Sequence, residues 1–88
     1  MNGDLDFIKS KPTTFRYTGA VVRLLKEYAF VALYNTYIQI FLHRDICTGR
    51  VSFDELELGD RLVFTVREST NHPGMLCAGR PHRPPLRQ

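Results

Sequence analysis

The chain predicts an all-β fold, a small barrel built from five short strands, on three observations. Apolar residues alternate with a period of two along Tyr28–Leu33, Tyr37–His43 and Arg61–Arg67, as strands with one buried face require. Turn formers punctuate these runs, most densely at Thr70-Asn71-His72-Pro73-Gly74. At 88 residues the chain is one domain near the lower limit for a self-sufficient core, and a closed barrel is an economical way for strands to bury one.

The elements follow in order. Residues 1–14 are polar except for Leu5, Phe7 and Ile8, carry Lys9, Lys11 and Pro12, and read as a flexible extension. Residues 15–80 form the folded domain. Phe15 to Leu25 is its first strand, but Val21, Val22, Leu24 and Leu25 surround Arg23 without clean alternation, which predicts a bulge or sharp bend. The next two strands form a hairpin about a two-residue turn at Asn35-Thr36. In that register Ala29, Val31, Leu33, Ile38, Ile40 and Leu42 share one face. Phe30 falls opposite Phe41 on the other face, and Tyr28 opposite His43.

His43 to Arg50 reads as a loop with a short helical turn at Asp45-Ile46-Cys47, and Phe53 to Asp60 as an acidic approach to the fourth strand. In that strand Leu62, Phe64 and Val66 point inward, while Arg61, Val63, Thr65 and Arg67 point outward. Met75 to Ala78 supplies a fifth. Residues 81–88, with Pro81, Pro84 and Pro85 beside Arg83, Arg87 and the preceding Arg80, read as an extended basic tail that stays out of the sheet interior. Five strands with a hairpin of the second and third, and a longer link before the fourth, describe a barrel of the oligonucleotide- and oligosaccharide-binding (OB) type.

The chemistry-bearing feature is the outer face of the hairpin. Tyr28, Phe30, Phe41 and His43 place four flat rings where a solvent face is normally polar. Aromatic cross-strand pairs stabilise a sheet by about 0.2–1 kcal/mol, so a covered, purely structural face is one reading. A stacking platform for single-stranded nucleic acid is the other, since a base stacked on an exposed ring contributes about 1–3 kcal/mol. The second is favoured because few residues remain to cover the face.

Charge permits that partner. The formal net charge is +3 and the isoelectric point about 9.1, basic but well short of a polybasic tail. Arginine outnumbers lysine nine to three, and the planar guanidinium both stacks on bases and grips phosphate. Arg23 and Arg44 flank the rings; a solvated strand-edge charge, paired with Asp45 or Glu27, is the alternative for either. Lys26, Arg61 and Arg67 are weaker candidates for which plain surface charge is the simpler reading. His43 reads as part of the platform, with a surface residue satisfied by water as the alternative.

Other classes are disfavoured. Cys47 and Cys77 stand thirty positions apart without Cys-x-x-Cys spacing, and with His43, His72 and His82 they form no recognised ligand pattern, so no metal or other cofactor is expected. The chain has no Gly-rich phosphate loop and no Gly-x-Ser-x-Gly elbow, and enzymatic activity is not expected. No apolar run approaches the roughly 18 residues of a membrane span and no signal peptide opens the chain; a cytoplasmic or nuclear setting with free thiols is expected. A monomeric domain is the simplest assembly, although an uncovered apolar face could pair with its own copy.

The residues also resemble a known family. Gly19-x-Val21, Tyr28-Ala29-Phe30-Val31, Ile40-Phe41-Leu42-His43, Phe53-x-x-Leu56-x-x-Gly59-Asp60-Arg61-Leu62-x-Phe64-x-Val66 and Cys77-Ala78 are similar in order and spacing to the cold-shock domain, over roughly residues 19–79. The resemblance implies a five-stranded barrel that binds single-stranded RNA or DNA on the aromatic face of its second and third strands. Tyr28 and Phe30 then match the first ribonucleoprotein motif, Phe41 and His43 the second, and Phe53 adds a further ring. Three positions depart from the pattern. The family's first-strand tryptophan is Arg23, the glycine between the first motif's rings is Ala29, and the aromatic after the histidine is Arg44. Non-standard copies of this kind occur in multidomain RNA-binding proteins of the upstream-of-N-ras type.

The sequence therefore predicts a modest, weakly selective binder of single-stranded nucleic acid, RNA before DNA, through Tyr28, Phe30, Phe41 and His43, assisted by Arg23, Arg44, Phe53 and Lys26. The alternative is a degenerate cold-shock-like module that docks a protein partner or acts as a spacer in a larger RNA-binding protein. A rim of cations marks the first, and one with Glu27, Asp45 or the Asp54-Glu55-Glu57 run marks the second.

Overall fold

The computed structural model describes residues 14–47, 49, 51–69 and 74–84. Five strands, β1 (Arg16–Leu24), β2 (Tyr28–Leu33), β3 (Gln39–His43), β4 (Arg61–Glu68) and β5 (Leu76–His82), close into a barrel in the order β1-β2-β3-β5-β4. All neighbours run antiparallel except β3 and β5, which meet in parallel at Phe41 and Cys77. This is the five-stranded OB-type barrel that the sequence predicts. The expected extension up to Thr13, the turn residues 70–73 and the tail from Pro85 lie outside the described residues.

Alternation builds the core as anticipated. Ala29, Val31, Ile40, Leu42, Leu62 and Phe64 are all sealed from solvent at 0 % exposure, one from every second position of β2, β3 and β4. Each large side chain among them contributes about 1.5–3 kcal/mol by leaving water. The β3–β4 connection adds Val51, Phe53 and Leu56 to the same cluster through a 3-10 turn at Phe53–Glu55.

The hairpin has the expected register but not the expected turn. Tyr28 faces His43, Phe30 faces Phe41, and Ala32 faces Gln39. The Leu33 amide then donates to the Ile38 carbonyl at 2.9 Å, so four residues rather than two make the reversal. Asn35 adopts a φ of 63°, a left-handed conformation that asparagine tolerates, and Thr36 Oγ1 accepts the Ile38 amide at 3.0 Å. A two-residue and a four-residue loop centred at the same point leave every pair unchanged, which is why the register survives the difference.

Two irregularities shape the barrel. In β1 the register slips between Val21, opposite Val31, and Arg23, opposite Phe30, leaving Val22 as the extra residue of the bulge predicted there. In β5 it slips against β4 between Val63 and Thr65, where Arg80 takes a φ of 48°. The strand thereby continues through a buried Pro81 to His82, beyond the Ala78 limit expected from sequence. Proline is admitted because a bulge leaves an unpaired position that needs no amide donor. His82 Nδ1 meets an Arg16 guanidinium nitrogen at 3.2 Å, and Arg83 pairs with Asp60 at 3.1 Å, so the start of the basic segment is tied to the barrel.

Candidate nucleic-acid interface

β2 and β3 carry the rings on their outward positions, and no described element lies over them. Tyr28 and Phe41 stack at a tilt of 33° with centroids 4.5 Å apart. Phe30 meets Phe41 and Tyr28 edge to face, each at 5.8 Å. His43 extends the group, its ring 6.4 Å from Phe41. The three larger rings are part-exposed, each shielded in part by the other two.

His43 has a second duty. Its Nδ1 accepts the Asp45 amide at 3.1 Å and so caps the 3-10 turn Arg44–Ile46, which places the ring proton on Nε2, the nitrogen left for a ligand. The Asp45 carboxylate stands 3.7 Å from the same Nδ1. Cys47 closes this turn with its thiol 3.8 Å from the His43 carbonyl, and burial pushes that thiol up while the Arg44 guanidinium partly offsets it.

The two arginines named beside the rings have opposite fates. Arg23 stands opposite Phe30, because the Val22 bulge shifts the register by one and turns its side chain to the ring face. It makes no ion pair among the described residues. Arg44 is fully engaged. It pairs with Asp54 at 2.9 Å and with Glu27 at 3.8 Å, donates to the Lys26 carbonyl at 3.1 Å, and lies 4.6 Å over the Phe53 ring. Arg44 thus pins the β1–β2 turn to the β3–β4 connection, and its fork is not available to a base. Phe53, expected among the assisting rings, is buried at 8 % exposure with that guanidinium over its ring, and belongs to the core. Lys26 is exposed in the β1–β2 turn, two residues before Tyr28.

Replacing Arg44 by alanine should therefore act on the fold. A cation–π contact and an exposed ion pair each contribute about 0.5–1 kcal/mol, so a loss of about 1–2 kcal/mol is expected in urea unfolding. Arg44→Lys should recover only part of it, since an ammonium cannot reproduce the planar fork.

Beyond Phe41 a groove of about 720 Å³ runs from Tyr28, Phe41 and His43 to Met75, Cys77 and Arg67. Glu27 and Asp45 also border it, beside Arg44 and His43 respectively, so the rim is mixed in charge rather than wholly cationic. The sequence gives Arg67 a weak claim to this face and gives Cys77 none. The alternation of β4 turns Arg67 outward, but only the pairing of β5 with both β3 and β4 brings it to this face. Arg61, the other weak candidate on β4, stands opposite Ala20 and does not border the groove. Among the described residues, no helix is long and apolar enough to cross a membrane. Compared with known proteins, the chain matches no family model and no curated protein.

Proposed function

We propose that this barrel binds single-stranded nucleic acid, RNA in the first instance, by stacking bases on Tyr28, Phe30 and Phe41, with His43 Nε2 as a polar contact at the edge. The observation that carries the reading is the ring cluster itself. Three mutually packed, part-exposed rings on the outer side of β2 and β3 are what a base-stacking surface needs. The resemblance of the same residues to the cold-shock motifs supports the reading, as does the unpaired Arg23 where the family pattern has its tryptophan. A guanidinium stacks on a base or holds a phosphate, and so replaces part of the lost ring.

The mixed rim and the sequestered Arg44 keep the affinity modest. Rings accept any base, and few side chains stand where they reach base edges, so sequence selectivity is low. Two free cysteines and a single-stranded RNA partner accord with a cytoplasmic or nuclear setting. The test is fluorescence anisotropy with a short U-rich RNA, alone and as a duplex with its complement. Saturable binding to the single strand and much weaker binding to the duplex is expected, because stacking needs splayed bases. Equal binding to both, or none in a folded domain, contradicts the reading and turns attention to a protein partner.

A further inference from the structure

The pairing of the five strands places five outward residues in one transverse row. Arg23 of β1 is opposite Phe30 of β2, Phe30 opposite Phe41 of β3, Phe41 beside Cys77 of β5, and Cys77 opposite Arg67 of β4. Each has buried neighbours on its own strand or in the paired row, so the row lies on the outer surface. Four inter-strand steps of about 4.8 Å make it about 19 Å long. An arginine stands at each end, two rings lie toward one of them, and the groove fills the interval between Phe41 and Arg67.

Resting on the stacking reading above, we infer that Arg23 and Arg67 are paired phosphate anchors for one single strand that crosses the barrel along this row, and that the groove takes a nucleotide beyond those stacked on the rings. Each end of the row carries a cation that no carboxylate holds among the described residues. Arg44 is held by Asp54 and Glu27, Arg83 by Asp60, and Arg16 shares a hydrogen bond with His82. Arg23 and Arg67 form no ion pair or side-chain hydrogen bond among the described residues, so their cations are uncompensated. Exposed guanidinium groups at both ends of an apolar row suit a ligand that is anionic along its length and flat between charges. The groove, at about 720 Å³, lies within the roughly 300–1,000 Å³ of sites that enclose small ligands. Met75, Cys77 and Ala78 line it with apolar surface, and Arg67 borders it, as do Glu27 and Asp45.

The experiment is the salt dependence of binding to the same short U-rich RNA, for the wild type, Arg23→Ala, Arg67→Ala, the double variant and Arg61→Ala. Each phosphate contact on a single strand contributes about 0.7 to the slope of log K against log salt. Arg23→Ala and Arg67→Ala should each lower the slope by about 0.7 and the double variant by about 1.4. Arg67→Lys should restore most of the slope, since an ammonium still neutralises a phosphate. Arg61 stands six residues from Arg67 along β4, about 20 Å away, and its removal should leave the slope unchanged. Ring-dependent binding with an unaltered slope in Arg67→Ala overturns the inference and leaves the stacking reading intact. Equal slope losses for Arg61→Ala and Arg67→Ala overturn it too, because they describe a diffuse field. Binding that ignores the rings altogether removes the stacking reading itself.

Discussion

Replacing Phe30 and Phe41 together by alanine will weaken single-strand binding by about 30-fold or more. Each ring offers about 1–3 kcal/mol of base stacking, and the smaller figure taken twice already gives that factor. The fold will tolerate the change. Both rings stand on the outer face of β2 and β3, opposite to the buried face that carries Ala29, Val31, Ile40 and Leu42. Their mutual edge-to-face contact contributes about 0.5–1.5 kcal/mol, so a lowered midpoint is expected but not an unfolded chain. Leucine at both positions separates the two effects. It retains apolar bulk and most of the stability, yet has no π face, and binding should fall nearly as far as with alanine. Full affinity in the leucine variant means that the face acts by plain apolar contact, as a protein-docking surface does.

The largest effect on the fold itself is expected at Gly19, which sits where β1 is paired on both sides, with Leu33 of β2 and Leu62 of β4. A Cβ there would lie 2.5 Å from the Ala32 carbonyl oxygen and 2.9 Å from Val31 Cγ1. The first of these is backbone in the middle of a ladder, so it cannot rotate away, and β1 must move off β2. Overpacking of this kind costs about 1–3 kcal/mol, and the backbone clash puts Gly19→Ala at the upper end, near 3. For a domain of this size the thermal midpoint should drop by about 12–24 °C. Gly49→Ala is the matched control, because nothing lies within 4 Å of the added carbon. A midpoint within a few degrees of wild type in Gly19→Ala would mean that β1 and β2 are not held together as described.

What could be read from the chain, and what could not, divides along a physical line. Pairs close in sequence were legible. The hairpin register, the inward faces of β2, β3 and β4, and the irregularity at Val22 all follow from local alternation, which a one-residue slip would invert. The turn at 34–37 was misjudged because Asn35-Thr36 is a plausible tight reversal and both loops conserve the pairing. Pairs distant in sequence were not legible. That Cys77 lies between Phe41 and Arg67 depends on the parallel joining of β3 to β5, a contact between strands more than thirty residues apart. The same holds for Arg44 and Phe53. Position put both beside the rings, with Glu27 as an alternative partner for Arg44 that the structure does show, whereas the 3-10 turns fold Phe53 inward and bring Asp54 to the guanidinium. Pro81 misled for a related reason, since proline argues against a strand until a bulge gives it a place.

The central claim is that the outer face of β2 and β3 is the surface that meets nucleic acid, and an amide NMR titration tests it most directly. Short U-rich and A-rich single strands would be added to the wild type and to the Phe30, Phe41 alanine variant, at low and at physiological salt. Saturable shifts clustered on residues 28–31, 41–44 and 77 are expected, retained at physiological salt and lost in the variant. Shifts confined to the arginines of the C-terminal segment and erased by salt, or a folded wild type that shows none, would contradict it.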